Sequence, residues 1–174
     1  KEVSDGVAFL YLDQQDSKVN IVSPSLIDVF DQIINQIISD DCIKAAVFIS
    51  AKKDFIAGAD IQSFNAEKVG DFQPISRKGH LLLSRLENSP KPFVAAIHGT
   101  AYGLGVELPL ACSARIASDH RSTKFALPEV KLGLLPGGGG TQRLPRLIGL
   151  QASLDMMLTG KNIFARKAKK IGLI

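Results

Sequence analysis

Short apolar runs and one long apolar stripe divide the first third of the chain into predicted elements. Residues 7–12 and 45–50 are runs typical of buried strands. Between them, residues 24–39 carry apolar side chains at helical spacing, which predicts an amphipathic helix. We expect Ser23 at its N-cap and Pro24 in its first turn, where the missing N–H costs nothing.

The same alternation continues to the end of the chain. Residues 69–88 are predicted as a helix, residues 93–97 as a strand, and a further helix begins at Gly103. Another helix is expected at 141–149, where Pro145 either kinks it or marks its first turn. This order predicts an α/β domain with helices packed on sheets.

The last thirteen residues, 162–174, predict a helix that runs into a strand with no closing element. We therefore expect residues 1–174 to be one domain and a fragment of a longer protein. An exposed apolar surface that binds a hydrophobic dye or self-associates would follow.

Composition excludes several classes of protein. With 174 residues, 45% of them hydrophobic and 22% charged, the chain can bury one sizeable core and is neither disordered nor fibrous. The sequence contains no apolar run of membrane-span length, and the stretch that opens at Lys1 has no signal-peptide h-region; we expect a soluble protein, with targeting left open. Cys42 and Cys112 lack metal-ligand spacing and are expected to be buried free thiols.

The formal charge of +4 owes much to one cluster near the C-terminus. It predicts either a solvated helix face or an anion-binding surface for phosphate groups or nucleic acid. Because the chain has no Trp and two Tyr, a base-stacking platform has little material, and nucleic-acid binding is disfavoured. The cluster comprises Lys161, Arg166, Lys167, Lys169 and Lys170.

Two glutamates carry the chemistry that the residues themselves suggest. Glu107 and Glu129 each lie in an apolar, glycine-rich segment. Desolvation drives a carboxyl group toward its neutral form, and two neighbouring carboxyls can take different protonation states. The pair can therefore serve as a general acid and a general base. By contrast, His80, His98 and His120 have no evident partner for catalysis and are expected to be structural.

Two glycine-rich turns offer backbone N–H groups for a negatively charged oxygen. One is FIAGAD, residues 55–60, and the other surrounds Gly103 at a strand-to-helix junction. One donor from each turn could form an oxyanion hole, although each stretch could also be only a tight structural turn. Gly137–Gly140 lacks the GK[ST] ending of a phosphate loop, so that interpretation is rejected.

Taken in order, four motifs resemble the enoyl-CoA hydratase/isomerase (crotonase) family. They are FIAGAD, then AAIHG with GLGVELPLAC, then PEVKLGLLPGGGGTQRLPRLIG, then LTGKNIFARKAKKIGL. The likeness covers nearly the whole chain and is nearest to the N-terminal hydratase domain of multifunctional fatty-acid oxidation α subunits. It implies a crotonase-like (ClpP/crotonase) spiral of ββα units, with the family's C-terminal helices outside this chain.

The resemblance also implies an activity, the hydration of trans-2-enoyl-CoA to 3-hydroxyacyl-CoA in fatty-acid β-oxidation. Glu107 would hold and deprotonate the attacking water at the β carbon, and Glu129 would deliver a proton at the α carbon. The backbone N–H groups of Ala59 and Leu104 would polarise the thioester carbonyl. Substrate-binding positions implied in the same way are Ala57, Gly58, Asp60, Ile61, Gly103 and Gly137, and the backbone of Gly137 would help to bind the catalytic water or a glutamate.

Cofactors and partners follow from the same likeness. No metal or cofactor is expected, since coenzyme A is part of the substrate; NAD would enter only if a 3-hydroxyacyl-CoA dehydrogenase domain follows. A homo-oligomer or a complex with a thiolase subunit is expected for the longer protein. Its location would be cytoplasmic in a bacterium and mitochondrial or peroxisomal in a eukaryote.

Three positions depart from the family pattern. Leu104 stands where the family usually has Gly, and Pro109 stands where it has another residue. Either change could re-aim the oxyanion donor or narrow the substrate range. Gln62 replaces a Lys found in many relatives, which weakens the expectation of a charge on the coenzyme A phosphates there.

Other functions remain open at this point. A Δ3,Δ2-enoyl-CoA isomerase shares the fold and the oxyanion hole but can work with one glutamate, so the presence of both favours a hydratase. An RNA-binding homologue would be supported only by the basic cluster, and a catalytically silent domain only by Leu104 and Pro109.

Overall fold

Short strands and helices alternate throughout the computed structural model, which describes residues 1–63, 68 and 70–174. The strands are β1 (Glu2–Ser4), β2 (Val7–Leu12), β3 (Ile21–Val22), β4 (Ala45–Ser50), β5 (Gly58–Ala59), β6 (Phe93–Ile97), β7 (Thr100–Tyr102), β8 (Ala114–Ala117), β9 (Lys124–Ala126) and β10 (Ile163–Phe164). The helices are α1 (Pro24–Ser39), α2 (Gln73–Glu87), α3 (Leu104–Leu110), α4 (Gly140–Ile148), α5 (Leu150–Thr159) and α6 (Ala165–Lys170).

Successive units of two strands and one helix build the fold. They are β2–β3–α1, β4–β5–α2, β6–β7–α3 and β8–β9–α4. The first strands form one sheet in the order β1-β2-β4-β6-β8, parallel except for the β1–β2 pair. The second strands form another layer, in which β3 pairs with β5 and β7 pairs with β9, and an Ile56–Ala101 bridge connects the two pairs. The chain therefore winds as a spiral of ββα units, as predicted.

The main core lies between the five-stranded sheet and helix α1. Phe30 of α1 makes an edge contact with Phe48 of β4, with ring centroids 6.0 Å apart, and Phe48 stacks on Phe93 of β6 at 5.9 Å. Burying these rings stabilises the packing of helix on sheet by the hydrophobic effect and by aromatic contacts. The predicted helix at 24–39 and the predicted strands at 7–12, 45–50 and 93–97 are all confirmed.

The predicted start of α1 is confirmed, and two other predictions about helices are corrected. Ser23 is the N-cap of α1 and Pro24 follows it, but the Ser23 side chain makes no capping bond and its hydroxyl lies 2.9 Å from that of Ser25. Helix α2 begins at Gln73, later than predicted, and residue 69 lies outside the described residues. Pro145 lies inside α4, so it does not mark the first turn.

The predicted strand at the C-terminus is wrong. After α6 the backbone turns at Gly172, whose φ is +81°. Gly172 donates its N–H to the Lys169 carbonyl at 3.1 Å, and Leu173 donates to the Ala168 carbonyl at 2.9 Å. This pair of bonds is a Schellman motif, which satisfies the last carbonyls of the helix. Leu173 is buried by this helix-ending turn, so its apolar character does not indicate a strand.

The two cysteines differ in exposure, and the basic side chains of α6 reach the surface. Cys112 is a buried free thiol as expected, but Cys42 is exposed, so the prediction that both are buried is wrong. Arg166, Lys167, Lys169 and Lys170 are exposed on α6, in agreement with a solvated helix face. None of the helices within residues 1–63, 68 and 70–174 has the length and apolarity needed to cross a bilayer.

Candidate active site

Helix α3 begins at a turn that fixes the position of Glu107. Gly103, the N-cap, has φ +53° and ψ −117°, a conformation that glycine adopts far more readily than other residues. Its N–H donates to the Ala126 carbonyl of β9 at 3.0 Å, and its own carbonyl accepts the N–H groups of Val106 and Glu107. A Cβ on Gly105 would overlap the Ile56 carbonyl, so a second glycine lets α3 pack directly on the FIAGAD segment. The side chain of Glu107 is thereby directed into the interior.

The carboxyl group of Glu107 is buried and held by two backbone donors. The residue is only 2% exposed. Its Oε1 accepts the N–H of Gly138 and the N–H of Gly140, both at 2.8 Å. Burial raises the pKa of Glu107 to about 7; the two hydrogen bonds oppose this rise, and the neighbouring charge of Glu129 adds to it. At neutral pH the group can therefore exchange a proton in either direction.

Glu129 lies in the 3-10 turn Pro128–Leu132, which follows β9. Its Oε1 lies against Gly103, where a Cβ would stand 2.8 Å away. Among the described residues its Oε2 is buried with no hydrogen-bond partner. Burial raises the pKa of Glu129 above its ordinary value, and a hydrogen bond to its own backbone opposes the rise. Glu129 as a whole is partly buried, and a carboxyl oxygen that is inaccessible and unsatisfied is unusual in a folded protein, which suggests a functional group.

The two carboxyl groups face a common region. Gly103 contacts Glu129 on one side and begins the turn that carries Glu107 on the other. A Cβ on Gly138 would stand 2.7 Å from Oε2 of Glu107 and 2.8 Å from the Leu104 side chain. Segments distant in sequence therefore bring both predicted glutamates into one site.

The FIAGAD segment lies beside this site. Ala57 donates its N–H to the Asn20 carbonyl at 2.9 Å, and Asp60 donates to the Val22 carbonyl at 3.0 Å, which ties the segment to β3. A Cβ on Gly103 would stand 3.9 Å from the Cα of Gly58. The two predicted donor turns are thus neighbours, while Ala59 and Leu104 as oxyanion donors stay a prediction.

Positions just beyond this segment reach the surface. Ile61 is 54% exposed, and the Asp60 carboxyl accepts the N–H of Gln62 at 3.1 Å. The substrate-binding roles of Ala57, Gly58, Asp60, Ile61, Gly103 and Gly137 stay predictions.

Leu104 and Pro109, which depart from the family pattern, both lie in α3. The Leu104 side chain lies beside the Glu107 carboxyl, as the contacts of Gly138 show. Pro109 is buried near the end of this seven-residue helix. Its carbonyl accepts the Cys112 N–H at 3.0 Å, so the proline lies where the helix is ending anyway. The cost of its missing N–H is therefore confined to the last turn.

The sequence did not identify the donors that hold Glu107. It pointed to Gly137, whereas the hydrogen bonds come from Gly138 and Gly140. It also did not single out Arg143, whose guanidinium donates to the Gly138 carbonyl at 3.2 Å. The GGGGTQR run was the available signal, but four successive glycines do not indicate which N–H groups point inward.

The three histidines lie in different parts of the fold. His98 has its Nε2 2.7 Å from the Lys52 carbonyl, next to Gly99. His120 has its Nδ1 2.7 Å from the hydroxyl of Ser122 in an exposed turn. His80 lies on α2. The structural roles expected for the three histidines stay predictions.

Comparison with known proteins decides the family. The family model described as enoyl-CoA hydratase/isomerase matches residues 2–174. The chain belongs to the enoyl-CoA hydratase/isomerase family. Its spiral is accordingly the crotonase fold. The enoyl-CoA hydratase of Bacillus anthracis superposes with a TM-score of 0.90 at 32% identity, covering all of this chain and 67% of that one. Pseudomonas aeruginosa DspI gives a TM-score of 0.91 at 32% identity, covering 99% of this chain and 70% of that one.

Fatty acid oxidation complex alpha subunits that resemble this chain are much longer than it is. The fatty acid oxidation complex subunit alpha of Shewanella baltica is 48% identical over 172 residues, which are 98% of this chain and 24% of that protein. The counterpart from Shewanella oneidensis is 47% identical over the same length. This chain therefore spans about a quarter of the length of these curated relatives.

Proposed function

We propose that this chain hydrates trans-2-enoyl-CoA thioesters to 3-hydroxyacyl-CoA in fatty-acid β-oxidation. The observation that carries the proposal is the position of two carboxyls, those of the buried Glu107 and the partly buried Glu129, on the two sides of the Gly103 turn. Family membership supports the hydratase reaction, and the names of the curated relatives support its place in fatty-acid oxidation.

Glu107 acts as the base that activates water. Its Oε1 is occupied by the N–H groups of Gly138 and Gly140, which leaves Oε2 to accept a proton from water. The water oxygen forms a bond to the β carbon as its proton passes to Glu107. The pKa of about 7 suits this role, since part of the population is ionised at neutral pH.

Glu129 acts as the acid. Its raised pKa favours the protonated form, which can donate a proton. When water adds to the β carbon, the electron pair of the double bond moves toward the carbonyl as an enolate. Glu129 then delivers its proton to the α carbon. The starting state returns when the proton gained by Glu107 passes to Glu129, either directly or by release to solvent and uptake of another proton by Glu129.

The enolate oxygen is held by the backbone N–H groups of Ala59 and Leu104. Leu104 is the first residue of α3, where an N–H has no partner within the helix. The closeness of Gly58 and Gly103 supports a pair of donors that converge from the two turns. Fixed donors of this kind stabilise a developing charge without reorganisation.

The remaining substrate contacts are proposed along the same turns. The thioester lies between the two turns. It is lined on one side by Ala57, Gly58, Asp60 and Ile61, and on the other by Gly103 and Gly137. The reaction requires neither a metal nor an organic cofactor. The length of the curated relatives supports a larger protein, and their description as one subunit of a complex supports a partner subunit. A dehydrogenase region that uses NAD and a thiolase partner stay predictions. Their bacterial origin supports a cytoplasmic location.

A second candidate is Δ3,Δ2-enoyl-CoA isomerisation. The unsatisfied Oε2 of Glu129 favours it, because one carboxyl can move a proton between two carbons of the substrate. The family description also includes isomerases. Hydration requires a second group to activate water, and the buried Glu107 supplies one.

The identity of the product distinguishes these reactions. Crotonyl-CoA and, in a parallel reaction, a 3-enoyl-CoA are incubated with the chain in water labelled with oxygen-18. The products are analysed by mass spectrometry. Label in the hydroxyl of 3-hydroxybutyryl-CoA supports the hydratase. Conversion of a 3-enoyl-CoA to its 2-enoyl isomer without any labelled hydroxy product would replace it with the isomerase. Glu2→Gln, an exposed change on β1, is the matched control and should retain the hydratase activity.

A further inference from the structure

The side chain of Arg143 lies under the turn that holds Glu107. Its guanidinium donates to the Gly138 carbonyl at 3.2 Å. A Cβ on Gly139 would overlap the same guanidinium, and the φ of Gly139 is +93°. The arginine side chain, only 13% exposed, therefore folds back over the first turn of its own helix and packs on the glycine backbone.

This contact fixes the peptide between the two donors to Glu107. The Gly138 N–H belongs to the peptide before Gly138, and the Gly140 N–H belongs to the peptide after Gly139. The intervening peptide joins Gly138 to Gly139, and Arg143 holds it by a hydrogen bond to the Gly138 carbonyl. Because this peptide joins the two that carry the donors, a displacement of it would shift both N–H groups relative to Oε1 of Glu107.

The arginine is itself anchored from another helix. Its Nε and Nη2 both donate to Oε2 of Glu87, at 3.1 Å and 2.9 Å. Glu87 is the last residue of α2, so the pair links that helix to α4. The planar guanidinium can satisfy the carboxylate and the carbonyl together, which a lysine ammonium cannot match in geometry.

We propose that Arg143, aligned by Glu87, is a positioning residue that holds the Gly138 and Gly140 N–H groups on the Glu107 carboxylate. This inference rests on the proposed function for its kinetic consequence, but its structural part concerns Glu107 alone. Arg143 acts through the glycine turn.

The positive charge of Arg143 also favours the ionised form of Glu107. Against the rise caused by burial, the charge of Arg143 lowers the pKa of Glu107, although less than the hydrogen bonds do. The other ionisable groups near this turn are Glu129, whose charge raises that pKa, Glu87, and His80, whose Nδ1 would lie 3.8 Å from a Cβ on Gly139. Loss of the arginine therefore weakens two supports of the ionised carboxylate at once.

Four variants test this inference. Arg143→Met removes the charge and the hydrogen bonds, and Arg143→Lys keeps the charge. Arg146→Met, whose arginine donates to the Gln142 carbonyl on the exposed side of α4, is the matched control. Glu87→Gln keeps Arg143 but weakens its anchor.

We expect Arg143→Met to lower kcat by roughly 10- to 100-fold, the loss that a misplacement of about 1 Å can cause, with little change in KM. The acid limb of kcat/KM should move to higher pH, as it reports the free-enzyme pKa of the base. Arg143→Lys should restore the acid limb more fully than kcat. Glu87→Gln should lie between Arg143→Met and wild type, and Arg146→Met should match wild type.

An activity-independent measurement separates this inference from the proposed function. The Glu107 carboxyl is titrated by carbon-13 NMR, and the amide shifts of Gly138 and Gly140 are followed in the same samples. A raised Glu107 pKa and displaced amide signals in Arg143→Met support the inference even if wild type hydrates nothing, an outcome that would refute only the proposed function. An unchanged titration with unchanged amide signals overturns the inference. If Arg143→Met does not fold, Arg143→Lys and Glu87→Gln decide by the same signals.

Discussion

Gly103 lies directly against the carboxyl group of Glu129, so that a Cβ on residue 103 would stand 2.8 Å from Oε1. The same glycine is the N-cap of the helix that carries Glu107. One residue without a side chain therefore allows both carboxyls to approach a common region, and its replacement should disturb both.

Gly103→Ala should lower activity and stability together. The φ of +53° strains an L-residue by roughly 1–3 kcal/mol, and the new methyl must displace the Glu129 carboxyl. Urea unfolding and the hydration rate measure the two effects. Gly133→Ala is the matched control, since Gly133 has φ +70° but no atom within 4 Å of its Cβ position. Equal losses of activity in the two variants would contradict the importance of the Gly103–Glu129 contact.

Glu107→Gln should stabilise the chain at pH 8 while removing activity. Burial raises the folded-state pKa of Glu107 from 4.5 to about 7, so the folded chain holds a proton that the unfolded chain has lost. This group's contribution to the free energy of unfolding therefore falls as pH rises from 4.5 to 7, by about 3 kcal/mol in total. The neutral amide avoids this loss.

The measurement is the free energy of unfolding of wild type and Glu107→Gln between pH 4.5 and pH 8, with Glu2→Gln as the charge-removal control. The difference between wild type and Glu107→Gln should widen with pH. A constant difference would show that the carboxyl does not titrate in this range.

Asn20→Ala should destabilise the FIAGAD segment. The Asn20 amide donates to the Leu12 carbonyl, the Ser50 hydroxyl and the Phe55 carbonyl within 3.1 Å, and its Oδ1 accepts the Gln14 N–H. Leaving these buried groups unsatisfied costs roughly 1–3 kcal/mol each where water cannot enter. The Ala57 N–H donates to the backbone carbonyl of Asn20, whose position the side-chain network fixes. Hydrogen exchange of the Ala57 amide should therefore accelerate in the variant.

Asn35→Ala, at an exposed hydrogen-bonded position on α1, is the control for asparagine removal and should change unfolding little. If Asn20→Ala behaves like Asn35→Ala, the buried network does not hold the segment.

The exposed leucines of α5 should bind a hydrophobic dye. Leu150, Leu154 and Leu158 are 63%, 39% and 64% exposed and recur every four residues, so they form one apolar stripe. The double variant Leu150→Ser and Leu158→Ser should lower dye fluorescence and any concentration-dependent association measured by sedimentation. Unchanged dye binding would show that the stripe is not the apolar surface that was predicted.

Helix periodicity and family motifs predicted most of the fold, and they singled out the two glutamates whose catalytic roles stay a prediction. The apolar stripe of α1 identifies a helix because its spacing is local, and Glu107 and Glu129 stand out because carboxyls among apolar residues are rare. The ending of α6 was mispredicted because an apolar run such as residues 171–174 fits either a strand or the hydrophobic contact of a helix-ending turn.

Other features depend on tertiary contacts that no local pattern contains. Arg143 and Glu87 meet because the fold brings the end of α2 within reach of a side chain of α4, and neither residue is unusual for its helix. Gly138 and Gly140 become donors only when the third and fourth units of the spiral approach each other. Sequence alone could mark the glycine run, but not its direction.

The most direct test of the two-glutamate account is the rate at which enoyl-thioester absorbance is lost with crotonyl-CoA and a longer enoyl-CoA. Wild type, Glu107→Gln and Glu129→Gln are compared, with Glu2→Gln as control. We expect turnover in wild type and Glu2→Gln, and a fall of at least about 100-fold, the usual effect of a general acid or base, in both active-site variants. Turnover that survives Glu107→Gln would contradict the two-glutamate account and leave Glu129 to work alone.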